Sequence, residues 1–337
     1  MKRIVSIVLV SLLCVSLFTI SKYALFADKL PHGNRGMRAV IALDEVSQLY
    51  IGSSMFRQGI DAHSIDAHSF LLAYNGNQPI FEALQLKYLI DNHANIKQVI
   101  IDMYPYSAAR EASISDVKLV MDGNVQMTFD VFDILHQSGM GYQYLYELLV
   151  QQNSEYFLTF PISHRLIDTR SLRGSAITTV HGATKAELAR KEIEPFDAYH
   201  LHPTQLKGLE EIIRICRASG IQLVFLETPK YIKVREDRQY QSLMDEYASF
   251  LSRKGVDMIL CEQTAAKLPR EVNRNLVTAY QFDPNEALYY TDLYHISYEG
   301  RMAFTKLLKQ IFLARSNSHI TSTLHLHSRA NVLDERI

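Results

Sequence analysis

The chain has 337 residues, 47% of them apolar and 21% charged, which reads as ordinary globular material long enough to bury a sizeable core in one large domain or two modest ones. Its 35 basic and 36 acidic residues leave a net charge of -1, so nothing in the balance points to a nucleic-acid partner, and the overall charge is silent about the substrate. No cysteine and histidine spacing resembles a zinc site, and neither metal nor cofactor is expected.

Lys2-Arg3 precedes an uncharged run from Ile4 to Ile20, at the short end of the roughly 17–25 residues of a spanning helix. The basic pair predicts a cytoplasmic N-terminus and an exported body. Residues 1–27 are therefore expected to be an N-terminal transmembrane signal anchor, with a signal peptide cleaved before Asp28 as the rival. Cys14 inside the run reads as a membrane-facing residue rather than a lipoprotein cysteine. Residues 28–38, polar and broken by Pro31, Gly33 and Gly36, form a linker.

The main domain spans 39–314. Leu49-Tyr50-Ile51 is an apolar run that breaks into Gly52-Ser53-Ser54, the pattern of a buried strand ending in a tight turn that leads to a helix. His63, Asp66 and His68 follow at a spacing too loose for a metal site. Phe70 to Tyr74 is a second short apolar run ending in Asn75-Gly76-Asn77-Gln78, after which Pro79 opens a helix carrying Leu84, Tyr88 and Leu89. Gln98 to Ile101 is a third strand, left through Asp102-Met103-Tyr104-Pro105. Asp102 reads either as a catalytic helper or, more simply, as a strand-end carboxylate capping a turn.

About 108–200 is an insertion flanking the active-site face, where specificity often resides, with a helix over Tyr142 to Gln151 and a polar stretch around Arg165 to Thr184. Thr204 is expected to cap a helix running to Ser219 and stopped by Gly220. Ile221 to Leu226 is a strand that exits through Glu227-Thr228-Pro229, a helix covers Met244 to Phe250, and a strand runs from Val256 to Leu260. Cys216 and Cys261 read equally as a disulfide or as two buried thiols. A helix over Tyr298 to Ala314 precedes a mobile polar tail, 315–337, whose His319, His325 and His327 are at most a weak metal site. The alternation predicts an α/β protein with a parallel sheet covered by helices on both faces, in three layers. In such sheets ligands gather at the carboxyl ends of the strands, where Ser54, Gly76, Asp102 and Glu227 all fall.

A serine hydroxyl reacts near neutral pH when a base takes its proton and a carboxylate holds that base in orientation. Asp292-Leu293-Tyr294-His295 supplies both, ahead of the last helix. Gly-x-Ser early and Asp-x-x-His late resemble the SGNH/GDSL hydrolase superfamily. The resemblance implies Ser54 as nucleophile, His295 as base and Asp292 as its orienting acid, on a flavodoxin-like sheet. It also implies an oxyanion hole from the N–H groups of Ser54 and Gly76. The family's Gly-x-Asn-Asp block is missing, which leaves Asn75 or Asn77 to substitute for its asparagine side chain, or backbone donors alone.

The Gly-Ser-Ser form resembles the cell-envelope branch that includes the D-alanyl-lipoteichoic acid transfer and alginate O-acetylation proteins. That branch implies an exported esterase or O-acyltransferase acting on envelope polysaccharide, with a membrane-bound O-acyltransferase as a potential partner. The other hypothesis is an inactive relative that binds glycan or such a partner.

Overall fold

The structure, a computed structural model, describes residues 45–113, 125–137, 180–193 and 196–317, together with isolated positions outside these spans. Six strands form one parallel sheet: β1 (Gln48–Gly52), β2 (Ser69–Ala73), β3 (Gln98–Asp102), β4 (Gln222–Leu226), β5 (Asp257–Cys261) and β6 (Val277–Tyr280), in the order β2-β1-β3-β4-β5-β6. The residues of β1 and β3 after the first are all buried, as strands covered on both faces must be, and they are the near-continuous Val/Ile/Leu runs that such strands need.

Eleven helices of the described residues connect them. They are α1 (Ser54–Gly59), α2 (Ala62–Ile65), α3 (Pro79–Asp91), α4 (Pro105–Ala109), α5 (Val125–Gln137), α6 (Lys185–Arg190), α7 (Pro203–Ala218), α8 (Ile232–Glu236), α9 (Arg238–Arg253), α10 (Glu262–Lys267) and α11 (Tyr298–Asn317). Among them α3 packs with α7, and α11 packs with α1 and α2. The α3–α7 crossing is close because Gly208 has no side chain: a Cβ there would lie 2.4 Å from the backbone nitrogen of Ile80.

The α/β fold and parallel sheet are those the sequence predicts, with local differences. His202, not Thr204, caps α7: its Nδ1 accepts from Thr204 N at 3.3 Å and Pro203 takes the first helical position, where a missing N–H costs nothing. Gly220 does stop that helix, at φ +65, with Ile221 N bonded to Cys216 O and Gly220 N to Arg217 O, the paired bonds of a Schellman ending. The helix expected over Met244 to Phe250 is the middle of α9, which starts at Arg238 because Asp237 caps it by accepting from Tyr240 N. The terminal helix runs on to Asn317. Cys216 and Cys261 are separate buried thiols.

The expected helix Tyr142–Gln151 and most of the polar stretch around Arg165–Thr184 lie outside the described residues, as do most of the apolar run Ile4–Ile20, the linker and tail residues 318–337. Among the described residues no helix is long and apolar enough to cross a membrane.

Candidate active site

The order of the sheet reverses at β1, which pairs with β2 on one side and β3 on the other. Just beyond the carboxyl ends of strands at such a reversal, the departing loops separate and leave a crevice. Ser54 is the first residue of α1, directly beyond β1, and it stands in that crevice.

The two adjacent serines have different tasks. Ser53 is buried at 3% exposure and its hydroxyl is engaged on both sides: it donates to Asp102 Oδ2 at 2.6 Å and accepts from Met55 N at 3.2 Å, capping α1. Ser53 N also donates to Asp102 Oδ2, at 3.3 Å. Asp102 thus clamps the turn after the neighbouring strand rather than capping a turn of its own. Gly52 makes this possible, since a Cβ there would meet Asp102 Cβ at 2.6 Å and Phe56 at 2.9 Å. Ser54 is left half-buried, its Oγ 3.0 Å from His295 Nε2.

His295 is held by the loop it belongs to. Tyr290 and Ile296 form an isolated antiparallel bridge, and Thr291 N donates to His295 O at 3.0 Å, pinching residues 291–295 into a tight turn. Inside the turn Asp292 Oδ1 accepts from Tyr294 N at 2.7 Å and His295 N at 2.8 Å, and the carboxylate lies 2.9 Å (Oδ2) and 3.1 Å (Oδ1) from His295 Nδ1. Burial alone would raise the Asp292 carboxyl. The hydrogen bond and charge of His295, with the two backbone N–H groups, outweigh that and hold it down at about 2. With an ionised acceptor at Nδ1, the neutral ring carries its hydrogen there and presents Nε2 as acceptor to the Ser54 hydroxyl.

Ser54 and Gly76 both border the cleft. The Ser54 N–H opens α1 and so belongs to the first-turn donors with no intrahelical acceptor. Gly76, at φ 68, sits in a left-handed turn that glycine adopts without strain, and its N–H enters none of the backbone bonds of that turn.

The expected side-chain contribution of Asn77 meets a competing use. Asn77 is fully buried, and its amide donates to Gly52 O at 3.3 Å and Gln85 Oε1 at 3.2 Å, bracing the second loop against β1. Both amide hydrogens are engaged, so donation to an oxyanion would break one of these bonds. Asn75 is exposed and does not border the cleft. Glu227, at the end of β4, turns into the interior, where Cys261 N and Thr264 Oγ1 donate to it at 3.0 and 2.9 Å.

The cleft encloses about 590 Å³. One side is aromatic: Tyr106 packs against Phe196 at 4.6 Å between ring centroids, Tyr104 at 5.7 Å and Tyr294 at 6.1 Å, and the Arg110 guanidinium lies 4.9 Å over Phe196. Burial pushes the hydroxyls of Tyr104 and Tyr106 well above their ordinary range, so both stay neutral. Phe196 and Lys191 reach this rim from the segment read as an insertion flanking the active-site face. Among the described residues no group of three or more His, Cys, Asp or Glu could hold a metal, and His68 instead places Nδ1 3.1 Å from Glu45 O.

Sequence reasoning also missed Lys230. It is 1% exposed and stands behind the cleft, its nitrogen donating to Thr228 O at 3.0 Å and to Thr228 Oγ1, and lying 5.4 Å from the Tyr104 ring centroid.

The class defined here is an α/β protein with a parallel sheet whose reversal point brings a serine, a histidine and an aspartate into one hydrogen-bonded line. No protein-family model matches the chain, and no curated protein matches it in sequence. Among solved structures it is similar to a candidate acylhydrolase from Bacteroides fragilis NCTC 9343, with 10% identity, covering 88% of this chain and 96% of that one at a TM-score of 0.37. It is also similar to a candidate platelet activating factor from Streptococcus pneumoniae, with 13% identity, covering 87% and 98% at a TM-score of 0.35.

Proposed function

We propose that this chain is a serine-dependent esterase or O-acyltransferase of the SGNH/GDSL type, exported and working on the acyl groups of cell-envelope polysaccharide. The observation that carries the reading is the line Ser54 Oγ, His295 Nε2, His295 Nδ1, Asp292 Oδ2, with gaps of 3.0 and 2.9 Å, in the wall of an open cleft.

Ser54 Oγ attacks the ester carbonyl as its proton passes to His295 Nε2, and Asp292 stabilises the imidazolium that results. The tetrahedral oxyanion is met by the N–H groups of Ser54 and Gly76. Its collapse breaks the ester C–O bond, and the His295 proton leaves with the departing alkoxide. His295 then takes a proton from water or from a sugar hydroxyl as that oxygen attacks the acyl-serine, and collapse of the second tetrahedral intermediate breaks the acyl–Oγ bond while His295 returns the proton to Ser54 Oγ.

The aromatic rim supports a carbohydrate acceptor, since rings of this kind stack on the apolar faces of sugars. The apolar run Ile4–Ile20 behind Lys2-Arg3 supports an anchored body outside the cytoplasmic membrane, where a membrane-bound O-acyltransferase would be a suitable donor partner.

The test is acyl release from p-nitrophenyl acetate by the full chain, with and without added envelope polysaccharide. A transferase moves acetyl onto the polymer and an esterase releases acetate. If neither product forms above the Ser54→Ala background, the reading fails.

A further inference from the structure

Burying a lysine ammonium is costly unless something local needs the charge. Among the described residues Lys230 has only Thr228 as hydrogen-bond acceptor and the Tyr104 face as a further contact, so these hydrogen bonds do not account for its burial. What surrounds it at longer range does. Asp102 and Asp292, the carboxylates beneath Ser53 and behind His295, both act on it electrostatically, as does Glu227, while Arg235 opposes them.

Asp102 needs such a neighbour. It is 3% exposed, its Oδ2 is taken by Ser53, and its Oδ1 is buried with no hydrogen-bond partner among the described residues, so a nearby positive charge is what would balance its ionised form. Burial raises the Asp102 carboxyl above its ordinary value, and Lys230, the two Ser53 hydrogen bonds and His295 work against that in favour of its charged form, while Glu82, Tyr104 and Tyr247 also interact with it electrostatically.

The backbone ties the same three places together. Met103 N, next to Asp102, donates to Leu226 O at 2.9 Å, and Tyr231 N, next to Lys230, donates to Leu293 O at 3.2 Å, inside the Asp292–His295 turn.

We propose that Lys230 is a positioning residue for the nucleophile: its buried ammonium is the counter-charge of Asp102, the carboxylate that clamps Ser53, and so fixes the turn from which Ser54 reaches His295. The role rests on the reading of Ser54 as nucleophile. Burial pushes the ammonium down to about 8 against the pull of Asp102 and Glu227. Above that pH the folded protein loses the counter-charge, so kcat should fall along an alkaline limb near pH 8.

Lys230→Met and Lys230→Arg in the full chain, assayed on p-nitrophenyl acetate from pH 6 to 10, test it. The Met variant should lose about 10²-fold in kcat, the cost of a nucleophile misplaced by roughly 1 Å, with KM within about twofold and no alkaline limb. The Arg variant, charged throughout, should recover most of kcat and also lack the limb. A folded Met variant with kcat within about twofold of wild type, or an unmoved limb in both variants, overturns the proposal.

Should the Met variant not fold, Thr228→Val decides. It removes one acceptor of the ammonium, so the limb should move below pH 8, and an unmoved limb counts against the role. A crystal structure of Lys230→Met, or of Thr228→Val at pH 9 if the Met variant does not fold, reads Lys230 apart from the chemistry. Ser53 released from Asp102 supports the role, and a bond kept at the wild-type 2.6 Å overturns it. Failure of wild type to turn over any ester would instead strike the serine-nucleophile reading.

Discussion

Ser53→Ala should destabilise the protein far more than loss of a surface hydroxyl, and it should slow the chemistry without touching a reacting atom. The hydroxyl makes two bonds. As cap of α1 it satisfies Met55 N, worth about 1 kcal/mol. As donor to the buried Asp102 carboxylate at 2.6 Å it makes a charge-assisted bond worth about 1.5–3 kcal/mol. Ser53 N still donates to Asp102 after the substitution, so the two losses overlap, and a total of about 2–4 kcal/mol is expected. Urea unfolding at pH 7 measures it as a lower midpoint at constant slope. The turn carrying Ser54 loosens at the same time, so kcat on p-nitrophenyl acetate should fall with KM little changed. A variant within about 0.5 kcal/mol of wild type would show that Asp102 does not hold the turn through Ser53.

Gly52→Ala forces a Cβ to within 2.6 Å of Asp102 Cβ and should cost about 1–3 kcal/mol by thermal melting, where an unchanged Tm would contradict the close approach. Asp292→Asn should lower kcat by roughly 10³–10⁴, because an amide no longer holds the imidazole tautomer, and steady-state kinetics at pH 7.5 checks this. The same carboxyl, held at about 2 against an ordinary value near 4, contributes stability that is present above pH 4 and lost as pH falls through 2. Asp292→Asn should therefore flatten the acid unfolding curve in that window. At the other end, burial raises the hydroxyls of Tyr50, Tyr240, Tyr247, Tyr280 and Tyr290 well above their ordinary range. Their stabilising contribution is complete below pH 10 and lost above it, as the unfolded chain ionises first. Each tyrosine steepens the loss by about 1.4 kcal/mol per pH unit, to be read from chemical denaturation between pH 9 and 11.

The elements that announce themselves in the sequence are those whose residues serve one local purpose. Leu49-Tyr50-Ile51 and Gln98 to Ile101 are buried on both faces and must be apolar without a break, so the strands and the parallel sheet follow from them. Pro79 and Gly220 mark helix ends through backbone constraints that act within a few residues. Asp292 and His295 were legible because their pairing is made inside one tight turn.

What was hidden depends on distant partners. β6 is an edge strand with three of its four residues only half-buried, so Val277–Tyr280 carries no clear period. Lys230 looks like a solvated residue in its own neighbourhood, yet it is 1% exposed where backbone bonds join the ends of β3 and β4 and tie its neighbour Tyr231 to the last loop. Asn77 was one of the alternatives, with Asn75 or backbone donors alone, for the oxyanion donor that the missing Gly-x-Asn-Asp block would supply. Its amide is instead spent on Gly52 and Gln85, the second of these on a helix whose face the loop sequence does not specify.

The central claim is that Ser54, and not its neighbour Ser53, is a nucleophile activated by His295. Incubation of the full chain with a fluorophosphonate, followed by peptide mass spectrometry, tests it most directly. The account predicts one adduct per chain, on Ser54, and its abolition in His295→Ala. Labelling on Ser53, or labelling of Ser54 that survives the loss of His295 at an unchanged rate, would contradict it.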